Sequence, residues 1–317
     1  MKNLSLPIST FSIALLLSLS AFAQEENSRR FWPPEFRPQA TTTNAKPRVG
    51  RYKSITPRPV TIAQAEPATL GVTLWLMRTP EEVKKDELKQ TSASGSRALS
   101  SNDEAARILI KKKVGNSERD QEVIPQRIQA NTLLKEGQLL RLSVEVPQSG
   151  FLYVIDRERY ADGKLSAPYL IYPSNPQGQE HAVKAGRAIE LPGGDAVFEV
   201  KLHSEETHAA LAGEVLSFIV TPKPLENLPR GNADESPIKL AETQVAAWEK
   251  QWSKNIRVEQ LELEKGAGQS RTTTEQAALT SKAQTLRQGD PLPQTVFRLA
   301  LKRGNPFIVQ LPLRIGK

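Results

Sequence analysis

The most constraining feature of this 317-residue chain is a succession of short apolar segments, separated by turn residues, in its middle third. In Leu139–Val146, apolar side chains alternate with Arg141, Ser143 and Glu145. This period of two predicts a strand with one buried face and one solvated face. The next segment, Phe151–Ile155, is apolar at every position, which predicts a central strand covered on both faces. Short strands at such regular spacing are typical of a sandwich or a barrel.

Turn chemistry connects these predicted strands. The dipeptide Asp162-Gly163 predicts a hairpin loop that leads to a strand at Tyr169–Tyr172, because glycine accepts a positive φ. Val296–Leu301 and Phe307–Leu313 are predicted to close the chain as a hairpin. Six further strands are predicted at Leu70–Met77, Arg107–Lys113, Ala188–Leu191, Val197–Leu202, Val215–Val220 and Ile256–Leu263.

One amphipathic helix is expected after these strands. Apolar residues fall on one helical face at Ala241, Val245, Trp248 and Trp252. Ser236-Pro237 is typical of the start of such a helix. We expect the helix to bury both tryptophans against Phe151–Ile155. Shorter helices are expected at Glu81–Gln90 and within Gly266–Thr285. The predicted fold is mainly β, an antiparallel β-sandwich or barrel-like domain with one covering amphipathic helix and short accessory helices.

The N-terminal region predicts export. Residues 1–23 combine a basic start, a short apolar core and the small residues Ala21 and Ala23, which is the pattern of a secretory signal peptide cleaved before Gln24. Residues 24–68 are rich in proline and poor in apolar residues, and they carry eight basic and four acidic side chains. This composition predicts a disordered basic linker. Residues 69–317 are then expected to form a single β-rich domain.

The composition narrows the classes of partner and cofactor. The chain has no cysteine, which excludes disulfides, thiol catalysis and cysteine-based metal sites. About half of the net charge of +8 lies in the linker, which could tether an envelope protein or an anionic surface polymer. No basic groove with interleaved aromatic residues indicates nucleic acid. No transmembrane segment is expected after signal cleavage, and no cofactor is expected.

Four segments of the chain, Leu133–Glu158, Pro168–Ser174, Ala185–Pro192 and Gly213–Pro222, resemble a bacterial family known only as domain-of-unknown-function family 4384. The resemblance covers about 90 residues, 133–222, and the flanking segments Leu70–Arg78 and Leu292–Arg314 look similar to exported long-form members. It implies an all-β domain in exported or signalling-linked proteins. It implies no established activity and no catalytic residues.

Two groups of polar residues are weak candidates for metal binding. Asp156, Glu158 and Asp162 lie close together at one hairpin end and could offer oxygen ligands to calcium. The alternative is a charged turn in which neighbouring cations hold these carboxylates ionised. His203 and His208 are five residues apart, a spacing that does not place both rings on one face of a helix, so a solvated loop is the simpler interpretation.

Aromatic residues offer a possible ligand platform. Its candidate members are Tyr153, Tyr160, Tyr169 and Tyr172, which could stack on sugars together with the helix tryptophans. The alternative for the tryptophans is ordinary core packing.

The functional expectation follows from these features. The sequence contains no Gly-x-Ser-x-Gly elbow and no glycine-rich phosphate loop. We therefore expect an exported, non-enzymatic binding or structural module of the bacterial cell envelope, in the periplasm or outside the cell. The alternative is a hydrolase that acts on an envelope or extracellular polymer.

Overall fold

The computed structural model describes residues 66–93, 104–114, 117–176, 181–229, 237–253, 256–264, 266–280, 291–302 and 304–316. The predicted signal peptide and residues 24–65 of the predicted linker lie outside these ranges. Strands account for 49% of the structure and helices for 13%, which confirms the mainly β class.

The described residues form fifteen strands and three helices. In chain order these are β1 (Glu66–Arg78), α1 (Pro80–Ala93), β2 (Ile108–Val114), β3 (Ser117–Ile128), β4 (Leu133–Leu134), β5 (Leu139–Glu145), β6 (Gly150–Tyr160), β7 (Tyr169–Tyr172), β8 (Ala182–Val183), β9 (Ala188–Leu191), β10 (Phe198–Glu199), β11 (Leu211–Thr221), β12 (Ile238–Lys239), α2 (Glu242–Ser253), β13 (Arg257–Glu262), α3 (Thr273–Thr280), β14 (Thr295–Leu301) and β15 (Phe307–Ile315).

Two separate sheets are packed as a sandwich, which is one of the two predicted forms. In the first sheet β1 is central. One edge of β1 pairs with β5. Along the other edge, residues 66–72 pair with β14 and residues 74–78 pair with β3. In the second sheet β11 is central between β6 and β15, and the order is β12-β7-β6-β11-β15-β4. Every pairing is antiparallel except that of β15 with β4.

Alternating residues of the central strands fill the space between the sheets. Leu74 and Val144 from the first sheet and Val154, Phe218 and Leu311 from the second belong to one buried cluster. Alternate residues of β15 also lie in it: Phe307, Val309, Leu311 and Leu313. This core satisfies the period-two pattern of each strand.

The outer face of the second sheet carries its own apolar cluster, covered by α2. Tyr153 and Ile155 of β6 lie in this cluster with Val245 of the helix, all fully buried. The prediction that a helix covers this doubly apolar strand is therefore confirmed. Trp248 and Trp252 pack against this cluster but are only half-buried, so the prediction that the helix buries both tryptophans on the sheet is met in part. Their rings stack on each other with centroids 5.9 Å apart.

The start of α2 differs from the prediction. The helix begins at Glu242, and Pro237 precedes the short strand β12 rather than a helical first turn. The pairing of β12 with β7 explains the difference, because it holds this segment extended at the edge of the second sheet.

β5 contradicts the prediction of one solvated face. All seven of its residues are buried, including Arg141, Ser143 and Glu145. The outer face of the first sheet is also covered, so these polar side chains have protein partners. Ser143 accepts a hydrogen bond of 2.7 Å from Trp75, and Arg141 forms an ion pair of 3.4 Å with Glu190. In β5, the alternate apolar residues therefore face the core between the sheets, and the polar residues between them face other protein groups on the outer side of the sheet rather than solvent.

The predicted closing hairpin is also wrong. β14 pairs with β1 and β13 in the first sheet, whereas β15 pairs with β11 and β4 in the second. The short connection through Gly304, which has a φ of 81°, crosses from one sheet to the other. In these separate sheets both strands contribute buried residues, among them Phe297 and Val309, to the core between the sheets.

The boundary of the domain lies slightly earlier than predicted. Residues 66–68, which the sequence analysis assigns to the linker, belong to β1. Glu66, Pro67 and Ala68 pair with Leu301, Ala300 and Leu299 of β14.

Candidate functional site

The candidate site lies on the outer face of the second sheet, beyond the part that α2 covers. Arg159 of β6, Gly213 of β11 and Arg314 of β15 are direct neighbours across the three strands. Directly opposed residues of neighbouring strands point to the same face of a sheet. The two arginine side chains therefore flank a position that has no side chain.

Arg159 and Arg314 line a solvent-open pocket with a volume of about 360 Å³. Among the described residues, the lining consists of Ala130, Asn131, Arg159, Gln260, Glu262, Pro312 and Arg314. The volume lies at the lower end of the range for small-molecule sites. The walls combine apolar surface from alanine and proline with two amides, two guanidinium groups and one carboxylate.

The one carboxylate of the pocket already has hydrogen-bond donors. Glu262 accepts a hydrogen bond of 3.1 Å from Thr295 Oγ1 and one of 3.1 Å from Gln260 Nε2. The backbone N–H of Ala130 lies 3.4 Å from the same side chain. These contacts engage both oxygens and fix the carboxylate within the wall.

The two guanidinium groups have few protein partners. Arg159 donates a single long hydrogen bond of 3.5 Å from Nη2 to the carbonyl of Ala212. Within the described part of the chain, neither Arg159 nor Arg314 forms an ion pair. Both retain donors for a ligand, because a guanidinium has five N–H groups.

Gly213 is required by the close approach of its neighbours. A Cβ atom at this position would lie 2.1 Å from the carbonyl oxygen of Leu313 and 2.8 Å from Nη2 of Arg159. A larger residue would therefore clash with the β15 backbone and displace the guanidinium group. The glycine allows Arg159 to lie across β11.

A second polar group lies on the other face of the same sheet. Asp156 and Glu158 of β6 share the face of the core residue Val154, and Glu214 of β11 lies directly opposite Glu158. Burial raises the pKa of Asp156 well above its usual range, and the charges of Glu214 and Glu158 add to this effect. Burial, with the charge of Glu158, raises the pKa of Glu214 to about 7.

This result corrects the prediction for the hairpin carboxylates. Neighbouring cations were expected to hold Asp156, Glu158 and Asp162 ionised, but the pKa of Asp156 moves in the opposite direction. Arg157 instead forms an ion pair of 3.1 Å with Glu242 at the start of α2. For Asp162 the expectation holds, because its hydrogen bond with Lys164 lowers its pKa.

The structure does not bring the calcium candidates together. Asp162 is exposed in the turn and pairs with Lys164 at 2.8 Å, whereas Asp156 has a buried Oδ1 on the inner face of β6. Among the described residues, no three His, Asp or Glu side chains are placed to hold a metal ion.

The four tyrosines do not form one platform. Tyr153 is fully buried under α2, where its hydroxyl accepts a hydrogen bond of 2.8 Å from the backbone N–H of Leu225. Tyr169 donates a hydrogen bond of 2.8 Å to Glu206, and Tyr172 packs against the core between the sheets. Tyr160 is the last residue of β6, beside the turn.

The histidines also lie apart. His203 and His208 are both exposed in the loop before β11, in agreement with the solvated-loop interpretation. His181 is buried, and its ring lies 4.9 Å from that of Tyr153 and 5.2 Å from that of Phe151.

One buried charged cluster was missed by sequence reasoning. Two guanidinium groups contact the face of the Trp75 ring, that of Arg271 at 4.1 Å and that of Arg127 at 4.6 Å from the ring centroid. Arg271 also forms an ion pair of 2.6 Å with Glu190. The cluster fastens the segment before α3 to the outer face of the first sheet. Its members are far apart in the sequence, so no local pattern could reveal it.

The pocket was missed for the same reason. Its seven lining residues come from three separated stretches of the chain and one position of β6, and none of these forms a motif. Arg159 appeared in the sequence only as a cation beside acidic residues.

No protein family model, no curated protein and no solved structure matches the chain. The resemblance to domain-of-unknown-function family 4384 therefore stays a prediction. No helix within the described ranges is long and apolar enough to cross a membrane.

Proposed function

We propose that the protein is an exported, non-enzymatic binding module of the bacterial cell envelope, with the pocket between Arg159 and Arg314 as its binding site. The observation that carries this proposal is the pocket itself: it is open to solvent, and its two guanidinium groups are not engaged in ion pairs with the described residues. Convergent polar groups in a concave site are the usual mark of ligand binding.

The envelope location is supported by the sequence. Residues 1–23 have the pattern of a cleaved signal peptide. Export predicts a mature N-terminus at Gln24, which intact-mass measurement of the exported protein would detect. An exported form that retains residues 1–23 would contradict this part of the proposal.

A capture experiment tests the binding role. The exported protein is immobilised, exposed to its own envelope fraction and compared with the double variant Arg159→Gln/Arg314→Gln. We expect the unaltered protein to retain envelope material that the double variant does not retain. No retained material above an empty matrix would contradict the binding role.

The alternative is a hydrolase that acts on an envelope or extracellular polymer. A specific observation favours it, because a carboxyl with a pKa of about 7, such as that of Glu214, is suited to general acid catalysis. We expect no turnover of peptidoglycan, polysaccharide, ester or peptide substrates. Activity that disappears in Glu214→Gln or Asp156→Asn, with unchanged circular dichroism, would favour the hydrolase.

A further inference from the structure

We propose that Arg159 and Arg314 recognise an oxyanion, a carboxylate or a phosphate, carried on a hydroxylated ligand of about the size of one sugar unit. This inference rests on the proposed function, which places binding in this pocket, and it adds the chemical class of the ligand. The arginine pair with Gly213 between them is hereafter the arginine cleft.

The first argument is the geometry of the donors. A guanidinium presents a planar set of N–H groups that matches the two oxygens of a carboxylate or phosphate. Arg159 and Arg314 stand at the same level on strands β6 and β15, with one strand between them. Both side chains line the same pocket, so an oxyanion bound in it can face both of them.

Gly213 leaves the space over β11 to the Arg159 side chain. A side chain at Gly213 would occupy the space into which the Arg159 guanidinium extends. The glycine therefore allows Arg159 to line the same pocket as Arg314, so that the two are not separate surface arginines.

The charged side chains that line the pocket do not balance. Among the lining residues, two arginines outnumber the single carboxylate of Glu262, so the pocket carries an excess of one positive charge. Glu262 is held by Thr295 and Gln260, which keeps its carboxylate in place beside the arginines. A ligand with one anionic group completes the neutralisation of the pocket.

The remaining wall explains why the ligand is hydroxylated. Asn131 and Gln260 are exposed amides that can donate and accept hydrogen bonds, as hydroxyl groups require. Pro312, which is exposed, offers a small apolar surface for the ring of a sugar unit. A simple inorganic anion would use the arginines but none of these contacts.

Calorimetric titration of the purified full chain tests the inference. The probes are glucuronate, glucose 6-phosphate, inorganic phosphate and neutral glucose. We expect one or both of the acidic sugars to bind more tightly than phosphate, and glucose not to bind. Comparison of glucuronate with glucose 6-phosphate tells which oxyanion the cleft prefers. Binding should weaken with added salt, because partly exposed charges are screened.

Matched variants locate the binding site. Arg314→Gln should weaken binding of the preferred acidic sugar by about tenfold or more, as expected for the loss of a charge-assisted hydrogen bond. Arg314→Lys should restore only part of the affinity, because lysine lacks the planar pair of donors. The control Arg119→Gln removes the same charge from an exposed position of β3 outside the pocket and should leave binding unchanged.

The outcomes separate the failure of this inference from that of the proposed function. Equal affinity of Arg314→Gln and the unaltered protein for acidic sugars would overturn the inference, as would binding of glucose as tight as that of glucuronate. If the double variant still captures envelope material, the protein is a binding module that uses a surface other than the arginine cleft. Acidic-sugar binding without envelope capture would support the arginine cleft and contradict the envelope role.

Discussion

At the scale of single residues, position in the fold decides the direction in which the pKa of a carboxyl shifts. Asp156 and Asp162 are six residues apart in one hairpin, yet burial raises the pKa of the first and Lys164 lowers the pKa of the second. Their sequence neighbourhoods are similarly charged. The difference arises because Asp156 lies on the inner face of β6, whereas Asp162 is in a solvated turn.

The raised pKa of Glu214 gives the fold a pH dependence. The folded protein binds a proton at this carboxyl more tightly than the unfolded chain does, with a pKa of about 7 against 4.5. The stabilisation from this group is therefore greatest at low pH and falls as the pH rises from about 4.5 to 7. We expect Glu214→Gln to raise the free energy of unfolding at pH 8 by about 1–2 kcal/mol.

Urea unfolding at pH 8 and pH 5 measures this effect. The gain from Glu214→Gln should shrink at pH 5, where the wild-type carboxyl is largely protonated in the fold. The matched control is Glu226→Gln, at an exposed position in the loop after β11, which should change stability little at either pH. A gain of equal size at both pH values would show that the proton on Glu214 is not its cause.

At the scale of secondary structure elements, β6 and α2 act as a pair. The apolar residues on both faces of β6 require a cover on each side, and the first sheet and α2 supply these covers. The helix covers only part of the outer face, and the arginine cleft lies beyond it. On β15, the part of the face that α2 covers ends near Gln310, whose side chain donates a hydrogen bond of 3.1 Å to Glu249 of the helix.

Because the two stacked tryptophans are only half-buried, removing one side chain should lower the free energy of unfolding by less than removing a fully buried aromatic residue would. Full burial of a large aromatic residue is worth about 3–5 kcal/mol, but Trp248 keeps part of its surface exposed. We expect Trp248→Ala to lower the free energy of unfolding by about 1–3 kcal/mol and to leave acidic-sugar binding unchanged. Thermal unfolding and calorimetric titration measure the two effects.

A different outcome would reassign the tryptophans. Unchanged thermal unfolding of Trp248→Ala, together with lost binding of a glycan, would make the stack a ligand platform. Val245→Ala serves as the control, because Val245 is fully buried and cannot contact a ligand.

At the scale of the whole molecule, the segment that carries the family resemblance is not a complete sandwich. Residues 133–222 supply β4 to β11, but the central strand β1 of the first sheet lies before them. β14 and β15, which pair with β1 and β11, lie after them. The two flanks of the chain therefore complete both sheets.

A truncation experiment tests this dependence. The fragment 133–222 alone should show no cooperative thermal unfolding, because both β5 and β11 lose a strand neighbour and the core between the sheets opens to water. The longer fragment 66–316 should unfold cooperatively. Circular dichroism measures both transitions, and a sharp transition in the shorter fragment would contradict the prediction.

The sequence by itself determined those features that depend on short-range patterns. The alternation of residues predicted most strands, the Asp162-Gly163 turn predicted the β6–β7 hairpin, and the helical spacing of Val245 and Trp248 predicted α2. The apolar character of Phe151–Ile155 even predicted that both faces of β6 are covered. Local periodicity carries this information because each element buries one face or two.

Only the tertiary structure decided which strands are neighbours and what covers them. β14 and β15 are close in sequence but join different sheets, and the polar face of β5 meets Trp75 and Glu190 rather than water. The arginine cleft depends on the same information, because Arg159, Gly213 and Arg314 come together only through the pairing of three strands. Strand pairing over long sequence separations follows from the packing of the whole core, which no short segment of the chain encodes.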